Sequence, residues 1–142
     1  MSKTRKKQIM DCLFCKIIAN NKEKKGDVIA ENEGAVAILD IHPASDGHIL
    51  LITKEHFANI SEINEKSWNY LLPLMKNIIN KLQMAFQPSG FNIISNMNEI
   101  AAQSIFHLHI HIIPKYEKAK GFIWTAKPAL KYNLAQVAEK LK

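Results

Sequence analysis

Three histidines alternate with aliphatic residues in the run His107-Leu108-His109-Ile110-His111, and this pattern constrains the fold more than any other feature. Successive side chains of a β-strand point to opposite faces of the sheet. The pattern therefore predicts a strand over residues 106–113 with the three imidazoles on one face. We expect the aliphatic face to pack against the core and the imidazole face to line a site.

The other apolar segments predict an α+β fold with a single antiparallel sheet. Four further strands are predicted at residues 27–31, 35–39, 48–52 and 91–95. Helical spacing predicts a short helix over Leu13–Ala19 and a long helix capped by Asn64, with a kink near Pro73. The apolar stripe of the long helix comprises Trp68, Leu71, Leu72, Met75, Ile78, Ile79, Leu82 and Phe86. This order of elements predicts a five-stranded sheet with the long helix packed on one face.

The chain has 142 residues, of which 47% are hydrophobic, and this is enough for one domain with a real core. We expect a flexible basic tail at residues 1–11, the domain at 12–115 and a C-terminal extension at 116–142. The sequence has neither an apolar stretch of membrane-spanning length nor the apolar core of a signal peptide. A cytoplasmic location is therefore expected.

The formal net charge of +6 is carried by lysines that are concentrated towards the two ends of the chain. Dispersed lysines of this kind are typical of a solvated surface. We therefore expect neither a specific nucleic-acid partner nor a membrane partner, whereas phosphorylated small molecules are compatible with this charge.

Three interpretations of the histidine run are open on the residues alone. The histidines could be unrelated core residues, although strict alternation argues against this. They could bind a metal ion, because histidines two apart on a strand also serve as ligands, but no nearby carboxylate completes a catalytic set. They could perform nucleophilic catalysis, in which one neutral imidazole attacks phosphorus while its neighbours hold charge or deliver a proton.

The run resembles the signature of the histidine-triad superfamily, and the rest of the chain resembles its Hint-like nucleotide-binding branch. Short segments that resemble those of this branch occur in the same order over residues 12–114, which makes a chance match improbable. They are Cys12-Leu13-Phe14-Cys15-Lys16-Ile17-Ile18, Leu39-Asp40-Ile41-His42-Pro43, His48-Ile49-Leu50, Lys54-Glu55-His56, Asn96 and Gln103-Ser104.

The resemblance implies a role for each matching residue. His109 would be the nucleophile that forms a covalent nucleotidyl-imidazole, His111 would contact phosphate oxygens, and His48 would support the triad. Ser104, Gln103 and Asn96 would donate hydrogen bonds to the phosphate or the leaving group. Asp40 would accept the ribose hydroxyls. The apolar slot for the base would be formed by Leu13, Phe14, Ile17, Ile38 and Leu39.

Cys12 and Cys15 form a Cys-x-x-Cys pair, which in a cytosolic chain argues for a metal or redox role before a structural disulfide. A redox role is disfavoured because the chain shows no βαβ unit, and two passive buried thiols are the remaining alternative. By resemblance, His56 and His107 would complete a structural Zn²⁺ site that the chemistry does not require.

The resemblance implies a hydrolase that cleaves purine nucleoside phosphoramidates and releases AMP or GMP. Dinucleoside polyphosphate hydrolysis, a nucleotide-binding adaptor with vestigial activity and a catalytic metalloprotein are the alternatives. A homodimer in which the two sheets pair into one continuous sheet is implied, with the long helix and the last strand as contact surfaces and Trp124 reaching a neighbouring site. Relatives commonly carry glycine in the loop where this chain has Ala101-Ala102, so we expect negative φ angles there.

Overall fold

The fold is one five-stranded antiparallel sheet with helices on both faces, which confirms the predicted fold class. The computed structural model describes residues 2–20 and 28–142. The strands follow the order β1-β2-β3-β5-β4 across the sheet. They are β1 (Val28–Glu31), β2 (Ala35–Leu39), β3 (Ile49–Thr53), β4 (Gly90–Ile94) and β5 (His109–Lys115). The α-helices are α1 (Lys3–Asp11), α2 (Leu13–Ala19), α3 (Glu65–Phe86) and α4 (Leu134–Leu141), with short 3₁₀ turns at Ile60–Glu62 and Glu99–Ala101. Asp27, predicted to begin the first strand, lies outside the described residues.

Alternate residues of β2 and β3 contribute to two separate apolar clusters, one on each face of the sheet, whereas β5 contributes to the larger cluster alone. The larger cluster lies under α3 and includes Ala37, Leu51 and Ile112 from the sheet. The smaller cluster lies under α2 and includes Ile52 together with Phe14 of that helix. Because both faces of the sheet are covered, β2 and β3 are apolar along almost their whole length.

The long helix α3 begins and ends where local chemistry allows. Asn64 caps it by accepting a hydrogen bond from the Ser67 N–H at 2.8 Å, and Gln87 ends it in the left-handed conformation. Its buried apolar side chains are Leu71, Leu74, Ile78 and Leu82. The predicted stripe was too wide, since the partly exposed Trp68, Leu72 and Phe86 lie outside this face. Among the helices of the described residues, none combines the length and apolarity needed to cross a membrane.

Both ends of the chain contain helices that the sequence pattern did not reveal. Residues 1–11 were expected to lack regular structure, yet Lys3–Asp11 is helical, with Ser2 as its N-cap. The segment is rich in lysine, arginine and glutamine, which favour helices without producing an apolar stripe. In α4, Asn133 and Gln136 form a capping box, and no residue of that helix is buried.

The last strand starts later than the histidine pattern predicted and occupies an interior position. The prediction was residues 106–113, whereas β5 spans His109–Lys115. The boundary shifts because the N–H groups of His107 and Leu108 donate to the carbonyls of Ile105 and Phe57, outside the ladder. β5 pairs with β3 on one side and with β4 on the other. A sheet that continues into a partner subunit would therefore have to use β4 or β1, not this strand.

The loop before β5 takes up its shape despite the missing glycine. Ala102 has φ +70° and ψ +23°, so the expectation of negative φ was wrong at this position. Its N–H donates to the Glu99 carbonyl at 2.9 Å, and this turn brings Gln103 beneath the loop. An alanine in this region costs roughly 1 kcal/mol relative to its usual conformations.

We predict opposite effects of glycine at two neighbouring positions of this loop. Ala102→Gly relieves the left-handed strain, which offsets the extra backbone entropy of glycine, so the free energy of unfolding should stay equal or rise by up to about 1 kcal/mol. Ala101→Gly, at a residue without positive φ, should lower it by about 0.5–1 kcal/mol. Urea denaturation of both variants measures the difference, and equal losses would show that Ala102 is unstrained.

Candidate active site and metal site

His109 is held so that one particular ring nitrogen faces away from the backbone. Its Nδ1 lies 2.7 Å from the carbonyl oxygen of His107, and because a carbonyl only accepts, Nδ1 carries the proton. The lone pair of the neutral ring is then on Nε2. Burial lowers the pKa of His109 below its usual value, with the His107 hydrogen bond and Asp40 opposing the shift. At neutral pH this ring is uncharged, with an accessible lone pair only on Nε2.

His48 and His111 are joined in a chain of hydrogen bonds whose direction is fixed at one end. The N–H of Ala44 lies 3.0 Å from Nδ1 of His48 and can only donate, so that nitrogen is unprotonated. The proton of neutral His48 is therefore on Nε2, which lies 2.9 Å from Nδ1 of His111. His111 accepts there and carries its own proton on Nε2. The Ala44 amide thus determines the tautomer of two imidazoles in succession.

Asp40 follows β2 and approaches both of these rings. Its Oδ2 lies 3.4 Å from Nε2 of His48 and 3.9 Å from Nδ1 of His111, while Oδ1 accepts from the His42 N–H at 2.8 Å. Burial, reinforced by the neighbouring His109 and His48, lowers the pKa of His111 to about 4 against the opposing pull of Asp40. His111 is accordingly neutral at physiological pH.

The His107 ring forms a compact cluster with three further side chains, those of Cys12, Cys15 and His56. Nδ1 of His107 lies 3.1 Å from Nδ1 of His56 and 3.4 Å from the Sγ atoms of Cys12 and Cys15. Cys15 Sγ is also 3.3 Å from Nδ1 of His56. All four potential ligand atoms lie within 4.8 Å of one another. The structure thus brings together the whole predicted metal set: Cys12 and Cys15 from the start of α2, His56 from the loop after β3, and His107 from just before β5.

The chemistry of these donors fits Zn²⁺. A tetrahedral zinc site with bonds of about 2.0–2.3 Å separates its donors by about 3.3–3.8 Å, close to the distances found here. Nε2 of His107 donates to the Thr53 carbonyl at 2.7 Å, which leaves the Nδ1 lone pair free to coordinate. Burial and the adjacent Cys12 raise the pKa of Cys15 to about 12, so without a cation this thiol keeps its proton.

A second group of possible ligands, formed by Asp40, His48 and His111, is also compact. Its hydrogen bonds argue against a metal ion there. Coordination through Nε2 of His48 would move the proton of that ring to Nδ1, where it would face the N–H of Ala44. The observed geometry therefore favours a hydrogen-bond relay and disfavours the interpretation of the triad as a catalytic metal site.

The loop residues predicted to touch the phosphate divide into two kinds. The Gln103 side chain is buried, and it accepts from the Asn98 N–H at 2.8 Å and donates to the carbonyls of Ala58 and Ile105 at 2.6 and 3.1 Å. Its amide is thus used within the protein. Ser104 is exposed and Asn96 half-buried, and neither side chain is hydrogen-bonded within the described part of the chain. These two groups are the ones available to a ligand.

An apolar wall stands beside the imidazoles. The buried Phe14 ring makes edge contacts with the rings of His109 and His107, at centroid distances of 5.1 and 5.9 Å. Ile17 is half-buried in the same cluster, whereas the Leu39 side chain is 41% exposed at the end of β2. Of the other residues expected in this wall, Ile38 is buried and Leu13 is exposed.

Sequence reasoning missed the backbone groups that orient these rings. The carbonyls of Thr53 and His107 and the N–H of Ala44 act through atoms that every residue carries, so no sequence signal identifies them. Arg5 was also missed, although its Nη2 donates to the His56 carbonyl at 3.4 Å from a helix that was not predicted.

A family model described as the HIT domain matches residues 21–118 of the chain. This chain belongs to the HIT family. The predicted membership of the histidine-triad superfamily is confirmed, and the chain carries the Cys-x-x-Cys pair of the zinc-type members. The match overlaps the domain predicted at 12–115, while those boundaries themselves stay a prediction.

Individual HIT relatives match this chain over most of their own length. An uncharacterised HIT-like protein of Mycoplasma genitalium is 41% identical over 90% of this chain and 92% of its own. The adenosine 5'-monophosphoramidase hnt1 of Schizosaccharomyces pombe is 37% identical over 93% of this chain and 96% of its own. The crystal structure of a HIT-family member from Bacillus subtilis has a TM-score of 0.81 at 33% identity, covering 92% and 94% of the two chains. A Zn-bound histidine triad family protein of Mycobacterium smegmatis has a TM-score of 0.70 at 28% identity, covering 80% and 81%.

We predict that the protein binds one Zn²⁺ per chain through the cluster around His107. Cys15→Ser should weaken zinc binding by at least about 100-fold, since the four ligands share an apparent binding energy of about 10–16 kcal/mol. His48→Asn, in the neighbouring cluster, should leave zinc binding unchanged. Metal content after dialysis against a weak chelator measures both variants. A wild-type protein without zinc, or equal loss in both variants, would contradict the assignment.

We also predict that acid destabilises the fold through His111. Its pKa is lowered in the folded state, so between pH 6.5 and about 4 only the unfolded chain binds this proton and stability falls with decreasing pH. Each such histidine contributes a slope of up to about 1.4 kcal/mol per pH unit. Urea denaturation from pH 7 to pH 5 should give a shallower slope for His111→Asn than for the wild type or for His42→Asn, whose side chain is exposed.

Proposed function

We propose that the protein hydrolyses purine nucleoside 5'-phosphoramidates and related nucleoside monophosphate conjugates, releasing AMP or GMP, with Nε2 of His109 as the nucleophile. The observation that carries this proposal is the hydrogen bond from Nδ1 of His109 to the His107 carbonyl, which leaves the lone pair on Nε2. The monophosphoramidase name of the Schizosaccharomyces pombe relative supports the choice of substrate.

The reaction takes place in two displacements at phosphorus. In the first, the Nε2 lone pair of His109 bonds to phosphorus while the P–N bond breaks and its electron pair leaves with the amine, which gains a proton derived from solvent. In the second, water attacks phosphorus, the P–Nε2 bond breaks with return of its pair to the imidazole, and the proton of the water passes to solvent. Splitting one displacement into two lowers the barrier to each.

His111 supports both steps as an uncharged hydrogen-bond donor. Its Nδ1 is occupied by the proton of His48, so Nε2–H is the group that can donate to a phosphoryl oxygen. Protonation of Nδ1 would place two N–H groups against each other, in addition to the cost of burying a charge. We therefore assign His111 to the stabilisation of charge that develops on the phosphoryl oxygens, and His48 to holding its tautomer.

The remaining site residues bind the nucleotide around this centre. Asp40 would accept the ribose hydroxyls at the end of β2, and the base would lie against Phe14, Ile17 and Leu39. Ser104 and Asn96 would donate to the phosphate and the leaving group. A direct contact with Gln103 is not part of the proposal, because its hydrogen bonds hold the loop that carries Ser104.

Zinc would act as a structural cofactor, held by Cys12, Cys15, His56 and His107. The fit of these donors and the Zn-bound relative from Mycobacterium smegmatis support the assignment. A bound ion would join the start of α2 to the segment that leads into β5, and it would supply no step of the reaction. Full activity in the presence of chelator would agree with this division of roles.

We further propose that the active form is a homodimer. Trp68 and Leu72 of α3 are 37% and 44% exposed, and β4 offers a free edge of the sheet. Trp124 in the extension is 76% exposed and would reach the site of the partner. The expected cytoplasmic location, and the expected lack of nucleic-acid and membrane partners, stay predictions.

We predict that His109→Ala abolishes turnover of an adenosine phosphoramidate, with kcat at least about 10⁴-fold lower, because the covalent route is lost. AMP binding, measured by calorimetry, should persist, since the groups that bind the nucleotide are intact. His42→Asn is the matched control at an exposed histidine and should keep full activity. A His109→Ala protein that retains activity would contradict the nucleophile, and a wild type that binds AMP without turnover would indicate an adaptor.

The substrate class is tested by comparing adenosine phosphoramidate with diadenosine polyphosphates under the same conditions. Both substrates present an α-phosphorus to His109, but they differ in the leaving group. Faster cleavage of the phosphoramidate supports the proposal. Hydrolysis of the polyphosphates alone would replace it with the dinucleoside polyphosphate hydrolase.

A further inference from the structure

The loop between β2 and β3 is hydrogen-bonded to the end of β5 and to the segment that follows β5. Ser45 Oγ donates to the Pro114 carbonyl and the Tyr116 hydroxyl donates to the Asp46 carbonyl, each at 2.6 Å. Two independent side chains thus fix a short connection that is largely exposed. Surface loops are ordinarily more mobile than the elements they connect, whereas this loop is held by two side-chain hydrogen bonds.

The segment after β5 also packs directly against the loop. Nζ of Lys115 donates to the Phe122 carbonyl at 2.7 Å and so closes the turn 116–122. Gly121 has φ +78° in this turn, and a Cβ there would stand 3.1 Å from the carbonyl oxygen of Ala44. The backbone of the extension and the backbone of the loop are therefore in close approach beside Ala44.

Ala44 is the residue whose N–H donates to Nδ1 of His48. The loop is short, and the N–H of His48 donates back to the Ser45 carbonyl at 3.2 Å, so the amide and the ring it orients lie on one turn. Which nitrogen of a neutral histidine holds the proton depends on the hydrogen bond made by the other nitrogen. A shift of the loop that withdraws this amide would release His48, and through it His111, from a single tautomer.

We propose that Ser45 and Tyr116 are positioning residues, which hold the N–H of Ala44 on His48 and thereby keep the proton of His111 on the nitrogen that faces the nucleotide. The proposal rests on the role proposed above for His111 in the reaction. It extends the functional unit from the imidazoles to the first turn of the C-terminal extension.

The proposal predicts a spectroscopic change that a purely stabilising contact would not produce. In the ligand-free wild type, ¹⁵N chemical shifts of the imidazoles should show His48 and His111 protonated on Nε2 alone. In the double variant Ser45→Ala/Tyr116→Phe, both rings should show averaged shifts that indicate two tautomers. Tyr132→Phe removes a hydroxyl elsewhere in the extension and should leave the spectrum of the wild type unchanged.

Kinetics give the second readout. The double variant should lose about tenfold in kcat with little change in KM, because the donor to the phosphoryl oxygens is correctly oriented only part of the time. Ser45→Thr keeps the hydroxyl and, introduced beside Tyr116→Phe, should recover most of this loss. A folded double variant with tautomers and kcat of the wild type would overturn the proposal.

The proposed function and the positioning role of Ser45 and Tyr116 can fail separately. If the wild type lacks phosphoramidase activity while the double variant still changes the tautomers of His48 and His111, the positioning role stands and the proposed function fails. If activity is present but the tautomers do not respond, the proposed function stands and the positioning role of Ser45 and Tyr116 is wrong.

Discussion

The peptide and ring of His107 form the interaction on which both sites depend. Its carbonyl fixes the proton of His109, while its own ring donates Nε2–H to Thr53 and turns Nδ1 towards Cys12 and Cys15. One residue thus connects the proposed nucleophile, His109, to the cluster of possible metal ligands. A displacement of His107 would therefore disturb the two sites together.

The same arrangement recurs at His48, His107 and His109. A backbone group whose role is fixed by its chemistry, a carbonyl that accepts or an amide that donates, contacts one ring nitrogen and thereby determines what the other can do. At His107 and His109 the partner is a carbonyl, which leaves a lone pair for a metal or for phosphorus. At His48 the partner is the amide of Ala44, which converts the next ring, His111, into a donor. The proposed nucleophile and the proposed donor are therefore both histidines, and they differ only in their hydrogen-bond partners.

Sequence reasoning could predict the elements and the clusters, but not the orientation of the rings. A continuous apolar run next to a turn predicted β2, a period-3.6 pattern predicted α3, and the family resemblance predicted that residues as distant as Cys12 and His107 lie together. The helix α1 escaped prediction because its stability comes from propensity and a cap, without an apolar stripe. The interior position of β5 and the tautomers depend on tertiary backbone contacts, which side-chain identity does not encode.

Burial keeps the histidines uncharged, and it also makes the stability of the fold depend on pH. A lowered pKa keeps His109 and His111 uncharged at neutral pH, as their proposed roles of nucleophile and hydrogen-bond donor require. Because the unfolded chain binds those protons more readily, each buried imidazole lowers stability as the pH falls. A metal ion at Cys12, Cys15, His56 and His107 would stabilise the folded chain, but because it needs thiolates and neutral imidazoles as ligands, this stabilisation would also be lost as the pH falls. The proposed zinc site and the proposed catalytic site thus both depend on histidines that are neutral in the folded chain.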